Sequence, residues 1–221
     1  MSNRDLILRA VREALGRGPL TAAQAEALAT RQPAHTRPAV EEALTAHFVR
    51  KFESHAGTVS HAARLSDVPH AVEAYCAAQG LARNAAVGGA LQTLDWPANW
   101  RVHHGPAGID ESLSVTPCLA GIAETGSLML GSSPGSPTTH NFVPDDHIVV
   151  LHTAQIVRHL EDAWPLVRAH SGGMPRAINF ISGPSRTADV ELTIQLGAHG
   201  PRRMHVILVG DNQTSAAQAH S

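Results

Sequence analysis

The sequence predicts an α/β domain, with a layered and mostly parallel sheet behind a helical N-terminal extension. Three observations carry that prediction. Short β-branched runs recur from residue 57 onward, separated by helical stretches of about 10–15 residues, which is the pattern of βαβ units. The first fifth of the chain has no such runs and places its apolar residues at helical spacing. A chain of 221 residues is also long enough to bury about 70% of its unfolded surface, so its core needs no covalent staples.

The elements follow in order. Residues 2–15 place Leu6, Ile7, Ala10, Val11, Ala14 and Leu15 on a helical stripe. Ser2 or Asn3 can cap its start, and Gly16 or Gly18 can end it. Residues 17–38, proline-rich and small, read as a linker with at most a short helix over residues 22–29. A further helix is expected from Pro38, with Glu41 and Glu42 in its first turn and Val40, Leu44, Phe48 and Phe52 on one face. It should stop before Gly57.

Strands are then expected at Thr58 and Val59 and over residues 85–87, 101–102, 148–151, 177–181 and 205–209. Helices are expected over 66–79, over 154–170 with a break at Pro165, and over 187–196. The run 115–130, holding Gly121 and Gly126, reads as two strands meeting at a tight turn. Residues 131–137 are Gly/Ser/Pro loop material. The resulting partition is a helical extension with linker over 1–38, an α/β domain over 39–210 and a polar tail over 211–221.

Composition narrows the functional classes. Charged residues make up only 16% of the chain and the formal net charge is −2. That excludes a charge-driven disordered chain and a protein-wide basic field for nucleic acid. Cys76 and Cys118 lie far apart and form no C-x-x-C. Two thiols cannot supply the four thiolates of an iron–sulfur cluster or a structural zinc, so no cofactor is expected on this chain. No apolar run reaches membrane-spanning length, and the charged residues at the N-terminus are unlike a signal core. A cytoplasmic protein is expected.

Three segments carry candidate chemistry. The first, Gly121-Ile-Ala-Glu-Thr-Gly126, sets Glu124 on a glycine-bracketed turn between apolar strands, a usual place for a nucleophile or general base. A solvated turn residue is the competing reading. In the second, Ser182, Gly183, Ser185, Arg186, Thr187 and Asp189 follow a strand and open the helix expected over 187–196. Strand, glycine loop and helix N-terminus present backbone N–H groups to an anion, and hydroxyl and guanidinium donors would add to them. Ordinary capping by Ser185 or Thr187, with Asp189 on the dipole, explains the same residues. The third, His199-Gly-Pro-Arg202, reads first as a Gly-Pro turn, with His199 as a further site candidate. Asp145, Asp146 and His147, with His140 and His152 nearby, have no metal-motif spacing and read as turn composition.

Together these segments resemble the lactate utilization protein C family, whose core is the LUD domain. The resemblance rests on residues 121–126 with Glu124 and Gly126, on Pro144 to His147 leading into a strand, on residues 181–185 with Thr187, Asp189 and Glu191, and on His199 to Arg202. It covers about the last half of the chain. It implies a sheet similar to the sugar-phosphate isomerase and CoA-transferase superfamily. It further implies work beside iron–sulfur partner subunits in oxidising L-lactate to pyruvate, with a small carboxylate or phosphate as ligand. CoA-transferases of that superfamily use a glutamate on a glycine-flanked turn, and Glu124 is similarly placed. An independent transferase or isomerase using Glu124 and a non-catalytic interaction module remain the rival readings.

Overall fold

The computed structural model describes residues 2–16, 18–31, 37–40, 43–169, 173–187, 195–197 and 199–210. The chain divides into two compact units, residues 1–37 and 38–221. In the first, α1 (Asn3–Ala14) starts with a reciprocal capping box between Ser2 and Asp5. It gives way to Leu15 and to Gly16 at φ +60°. The second helix, α2 (Ala22–Thr30), carries the same device between Thr21 and Gln24.

In the second unit, α3 (Leu44–Ser54) buries Phe48 and Phe52 completely. It begins at Leu44 and not at Pro38. Residues 37–40 are non-helical, Val40 is buried, and its carbonyl accepts a hydrogen bond from the Arg158 guanidinium. An anchored backbone of that kind cannot wind into a first turn. The dipole role expected of Glu41 and Glu42 lies outside the described residues.

Six strands form an all-parallel sheet in the order β1-β12-β7-β4-β2-β3. They are β1 (Thr58–Ala62), β2 (Asn84–Val87), β3 (Arg101–His103), β4 (Leu113–Pro117), β7 (Asp146–His152) and β12 (Arg203–Val209). Helix α4 (Val68–Gln79) crosses from β1 to β2. The central strands are buried at nearly every position because both faces are covered, as in parallel sheets generally. Ile148, Val150, Ile207 and Val209 pack with Val68, Val72 and Cys76 of α4. Val149, Leu151, Val206 and Leu208 turn the other way, onto Phe48 and Phe52.

A second sheet has the order β8-β5-β6-β9, from β5 (Ala120–Ile122), β6 (Ser127–Gly131), β8 (Ile156–Val157) and β9 (Ile178–Ile181). Its inner face closes the Phe48 cluster through Leu128 and Leu130, and its outer face packs Ile122 and Met129 on Ala163 and Val167 of α6 (Leu160–Ala169). The layered α/β architecture is therefore the one the sequence predicts, with a second, four-stranded sheet added to the parallel one. The helix expected over 154–170 starts only at Leu160, because Ile156 and Val157 are taken as β8 by pairing with β5. Pro165 lies inside α6 without ending it.

The helix expected over 187–196 is tested only at its ends, since residues 188–194 lie outside the described residues. Arg186–Thr187 (β10) pairs antiparallel with Gln195–Leu196 (β11), so no helix starts at Thr187. A short helix, α5 (Thr139–Phe142), precedes β7.

Candidate functional site

The order of the parallel sheet reverses between β2 and β4. After β2 the chain moves outward to the edge strand β3, and after β4 it moves the other way, through the β5–β6 hairpin to β7. The loops leaving two such strands separate, and the crevice at their carboxyl ends is where open α/β sheets take ligands. Here that crevice is a cleft of about 1240 Å³. Gly89 and Ala90 line it from the end of β2, Pro117 and Cys118 from the end of β4, and Ser132, Ser133 and Ser136 from the loop after β6. Thr138, Met174 and Arg176 complete its polar and outer walls.

Local sequence explains this shape. Gly89 sits at φ +57°, and a Cβ there would come within 2.7 Å of Pro117. Its N–H donates to the Gly135 carbonyl at 2.7 Å, and the Gln92 side-chain amide donates to the same oxygen at 2.9 Å. Ser133 and Ser136 exchange backbone hydrogen bonds of 3.1 Å, closing the Pro134-Gly135 turn. The loop is thereby held against the first turn after β2. Arg176 is the one charged side chain among the described residues that line the cleft, beside four hydroxyls from Ser132, Ser133, Ser136 and Thr138. A cleft with one cation and no carboxylate favours a small monoanion. Cys118 also lines it, but burial pushes that thiol up to about 12, so it stays protonated.

The residues singled out in the sequence lie elsewhere. Glu124 stands at the tip of the β5–β6 hairpin, where His159 Nδ1 donates to its carboxylate at 3.1 Å and its own N–H donates to the Arg158 carbonyl at 3.0 Å. His159 is buried and caps the start of α6 by bonding Asp162. Gly126 at φ +65° is pressed on α3, where a Cβ would lie 2.5 Å from the Phe52 backbone nitrogen. Beside it Thr125, Ser127 and Ser182 form a hydroxyl chain, with Oγ1–Oγ and Oγ–Oγ distances of 2.6 and 2.7 Å.

Ser182, Gly183 and Arg186 share a shallow cleft of about 310 Å³ with Ser54 and His55 at the end of α3. Ser185 turns to the other segment: its Oγ accepts from the His199 N–H at 3.3 Å, and its own N–H donates to the Pro201 carbonyl at 2.8 Å. Thr187 is in β10, and Asp189 and Glu191 lie outside the described residues. Thus Ser182, Gly183 and Arg186 come together, as do Ser185 and His199, while Glu124 lines neither cleft. Sequence reasoning missed His159, Arg176 and the glycine pair Gly88 and Gly89. Two glycines directly after an apolar strand were the available signal for the last.

Asp145 and Asp146 serve ion pairs: Arg202 Nε lies 3.1 Å from Asp145, and Arg203 grips Asp146. Among the described residues no group of three His, Cys, Asp or Glu side chains is placed to hold a metal ion. Likewise, no helix among them is long and apolar enough to cross a membrane.

Comparison with known proteins locates this architecture. Residues 110–209 match the family model of the LUD domain. That segment is similar to a LUD domain. It supplies every wall of the switch-point cleft except Gly89 and Ala90, and it includes both segments around Glu124 and Ser185. An uncharacterized protein of Neisseria meningitidis serogroup B is 39% identical over 109 residues, covering 49% of this chain and 46% of that protein. Lactate utilization protein C of Exiguobacterium is 32% identical over 127 residues, 54% of each chain. Lactate utilization protein C of Bacillus subtilis is 30% identical over 134 residues, covering 55% of this chain and 56% of its own length. The matched region thus spans about half the length of these curated relatives. A crystal structure of a DUF162 family protein from Deinococcus radiodurans shares the fold, with a TM-score of 0.54 at 23% identity over 76% of this chain and 96% of that one.

Proposed function

We propose that the chain takes part in L-lactate utilization, and that its LUD domain binds a small organic acid in the switch-point cleft. The observation that carries this reading is Arg176, a cation among four hydroxyls with no acidic side chain among the described lining residues. A guanidinium pairs a carboxylate through two parallel N–H donors, and a serine or threonine hydroxyl can take the 2-hydroxyl or keto oxygen. Relatives named lactate utilization protein C support lactate and pyruvate as the acids to try first.

Oxidising a 2-hydroxy acid to a keto acid releases two electrons. Iron–sulfur partner subunits are the acceptors in this proposal, with a cytoplasmic setting. In this chain the two thiols are apart, Cys76 on α4 over one face of the sheet and Cys118 on the other. The cleft greatly exceeds one lactate molecule, which fits a ligand held while a partner covers the opening.

Calorimetric titration of the full chain with L-lactate, pyruvate and acetate tests the binding step. Saturable binding of the first two is expected, weakened at least about tenfold by Arg176→Gln through loss of one charge-assisted pair, with melting unchanged. Equal affinity in Arg176→Gln, or no binding by the parent chain, would reject the proposal.

A further inference from the structure

Ser136 and His140 converge beneath the switch-point cleft at the α-carbon of Gly88. His140 is fully buried on α5, and its Nε2 lies 2.8 Å from the Gly105 carbonyl oxygen. A carbonyl only accepts, so Nε2 carries the ring hydrogen and Nδ1 is left with a bare lone pair. That Nδ1 is buried and makes no hydrogen bond. Burial also holds the imidazole below its ordinary pKa, so it is neutral at physiological pH.

Ser136 lines the cleft itself. A Cβ built on Gly88 would stand 2.8 Å from Ser136 Oγ and 3.1 Å from His140 Nδ1. The missing side chain of Gly88 therefore keeps open the space that the hydroxyl and the lone pair both border. The backbones of both partners are held in place. The turn from Ser133 to Ser136 is closed by its own backbone pair, and the Ser114 hydroxyl donates to the His140 carbonyl at 2.6 Å. The hydroxyl and the neutral imidazole border one space without bonding across it, and a turn of the Ser136 side chain toward Nδ1 would complete the pairing of an activated serine.

We propose that Ser136 is a nucleophile activated by His140, acting on the acyl carbon of an ester or thioester whose acid part carries a carboxylate for Arg176. Ser136 Oγ bonds to the acyl carbon as its proton passes to His140 Nδ1. The bond from that carbon to the leaving oxygen or sulfur breaks, and the imidazolium returns the proton to it. An alcohol or thiol departs. Water then bonds to the acyl carbon of the acyl-serine, gives a proton to His140, and Ser136 Oγ leaves and recovers that proton as the free acid forms. No oxidant is consumed. This activity stands apart from lactate binding, and either can fail without the other.

A fluorophosphonate probe tests it on the full chain, with peptide mapping of the adduct and 4-nitrophenyl acetate as a turnover substrate. A single adduct on Ser136 is expected, abolished in Ser136→Ala. In His140→Gln the labelling rate should drop at least about 100-fold, the usual share of a general base. His140 is buried and its replacement can cost folding, so Gly88→Ala provides the second arm. Gly88 has φ −101° and ψ 155°, which alanine adopts freely, and the added methyl fills the space through which the hydroxyl would reach the imidazole. A folded Gly88→Ala chain should label at least about tenfold more slowly, since general-base help is partly lost. The proposal is overturned by an adduct on another residue. It is equally overturned by no adduct where a serine hydrolase control reacts, or by folded Gly88→Ala labelling at the parent rate.

Discussion

Arg203 clasps Asp146 with two parallel hydrogen bonds, Nε to Oδ1 at 2.7 Å and Nη2 to Oδ2 at 2.6 Å. The two residues face each other across β12 and β7 in register, and the Tyr75 hydroxyl donates to Asp146 Oδ1 at 2.7 Å. The pair is lopsided. The Asp146 side chain is wholly buried, whereas that of Arg203 is 45% exposed. Arg203→Met should therefore cost more than Asp146→Asn, because it strands a buried carboxylate while the reverse change leaves a guanidinium free to reach water. About 3 kcal/mol is expected for the first and about 1–2 kcal/mol for the second, read as urea midpoints. Equal costs would mean the carboxylate is better solvated than its burial indicates.

Acidification should destabilise the fold through its buried histidines. His147 is held by Thr116 at 2.7 Å and His205 by Thr58 and Ser60, each at 2.8 Å, and burial lowers them to about 3 and about 4. In the unfolded chain a histidine titrates near about 6.5. Between that value and the folded ones the unfolded chain binds more protons, so unfolding free energy rises with pH across this window. Stability is complete above about pH 6.5 and drops by up to about 1.4 kcal/mol per pH unit per histidine on going down to about pH 4. Urea midpoints at several pH values check the slope. His205→Gln should make it shallower, since the amide can bond both hydroxyls but cannot take up the proton.

Gly126→Ala should be among the costlier single-methyl additions in the chain. The left-handed backbone at φ +65° opposes a side chain, and the contact at 2.5 Å is with the backbone of α3, which cannot rotate away. A loss of about 2 kcal/mol or more is expected from strain and overpacking together. Gly16, at φ +60° with open space around it, serves as the comparison and should cost about 1 kcal/mol. Thermal or urea unfolding of the two variants measures the difference.

Glu124→Gln should leave the fold intact, because the amide oxygen can still accept from His159 Nδ1. A change within about 1 kcal/mol is expected, larger than a free surface site only because His159 is buried. Carboxylate binding in the switch-point cleft should be unchanged, since Glu124 does not line it. A folded variant that loses lactate or pyruvate binding in titration would move the ligand to the hairpin.

Local patterns made most elements legible. Ser2 with Asp5 and Thr21 with Gln24 are side-chain-to-backbone devices that act within one turn, so α1 and α2 begin where their sequences say. The hairpin tip was legible through Gly126, whose left-handed φ of +65° is equally local, whereas Gly121 lies inside β5. The ends of the segment 187–196 were not legible. The helical look of Thr187, Gln195 and Leu196 competed with pairing between 186–187 and 195–196, and propensity yields when a ladder partner is supplied by the fold. The start of α3 and the strand β8 moved similarly, through the hydrogen bond from Arg158 to Val40 and the pairing with β5.

The sequence by itself determined a parallel α/β core, since strands buried on both faces are rich in apolar, β-branched residues and helices between them must cover those faces. It also marked the glycine-bracketed hairpin, the Gly/Ser/Pro loop and the residues by which a LUD domain resembles its relatives. Only the tertiary structure decided strand order, and with it the place where β2 and β4 diverge. It also brought Gly88, Ser136 and His140 together at one point and set Arg176 in the wall of the same cleft. The reason is physical: periodicity reports which way a side chain faces within its own element. Which distant element it meets depends on sheet order and register, which emerge only when the whole core packs.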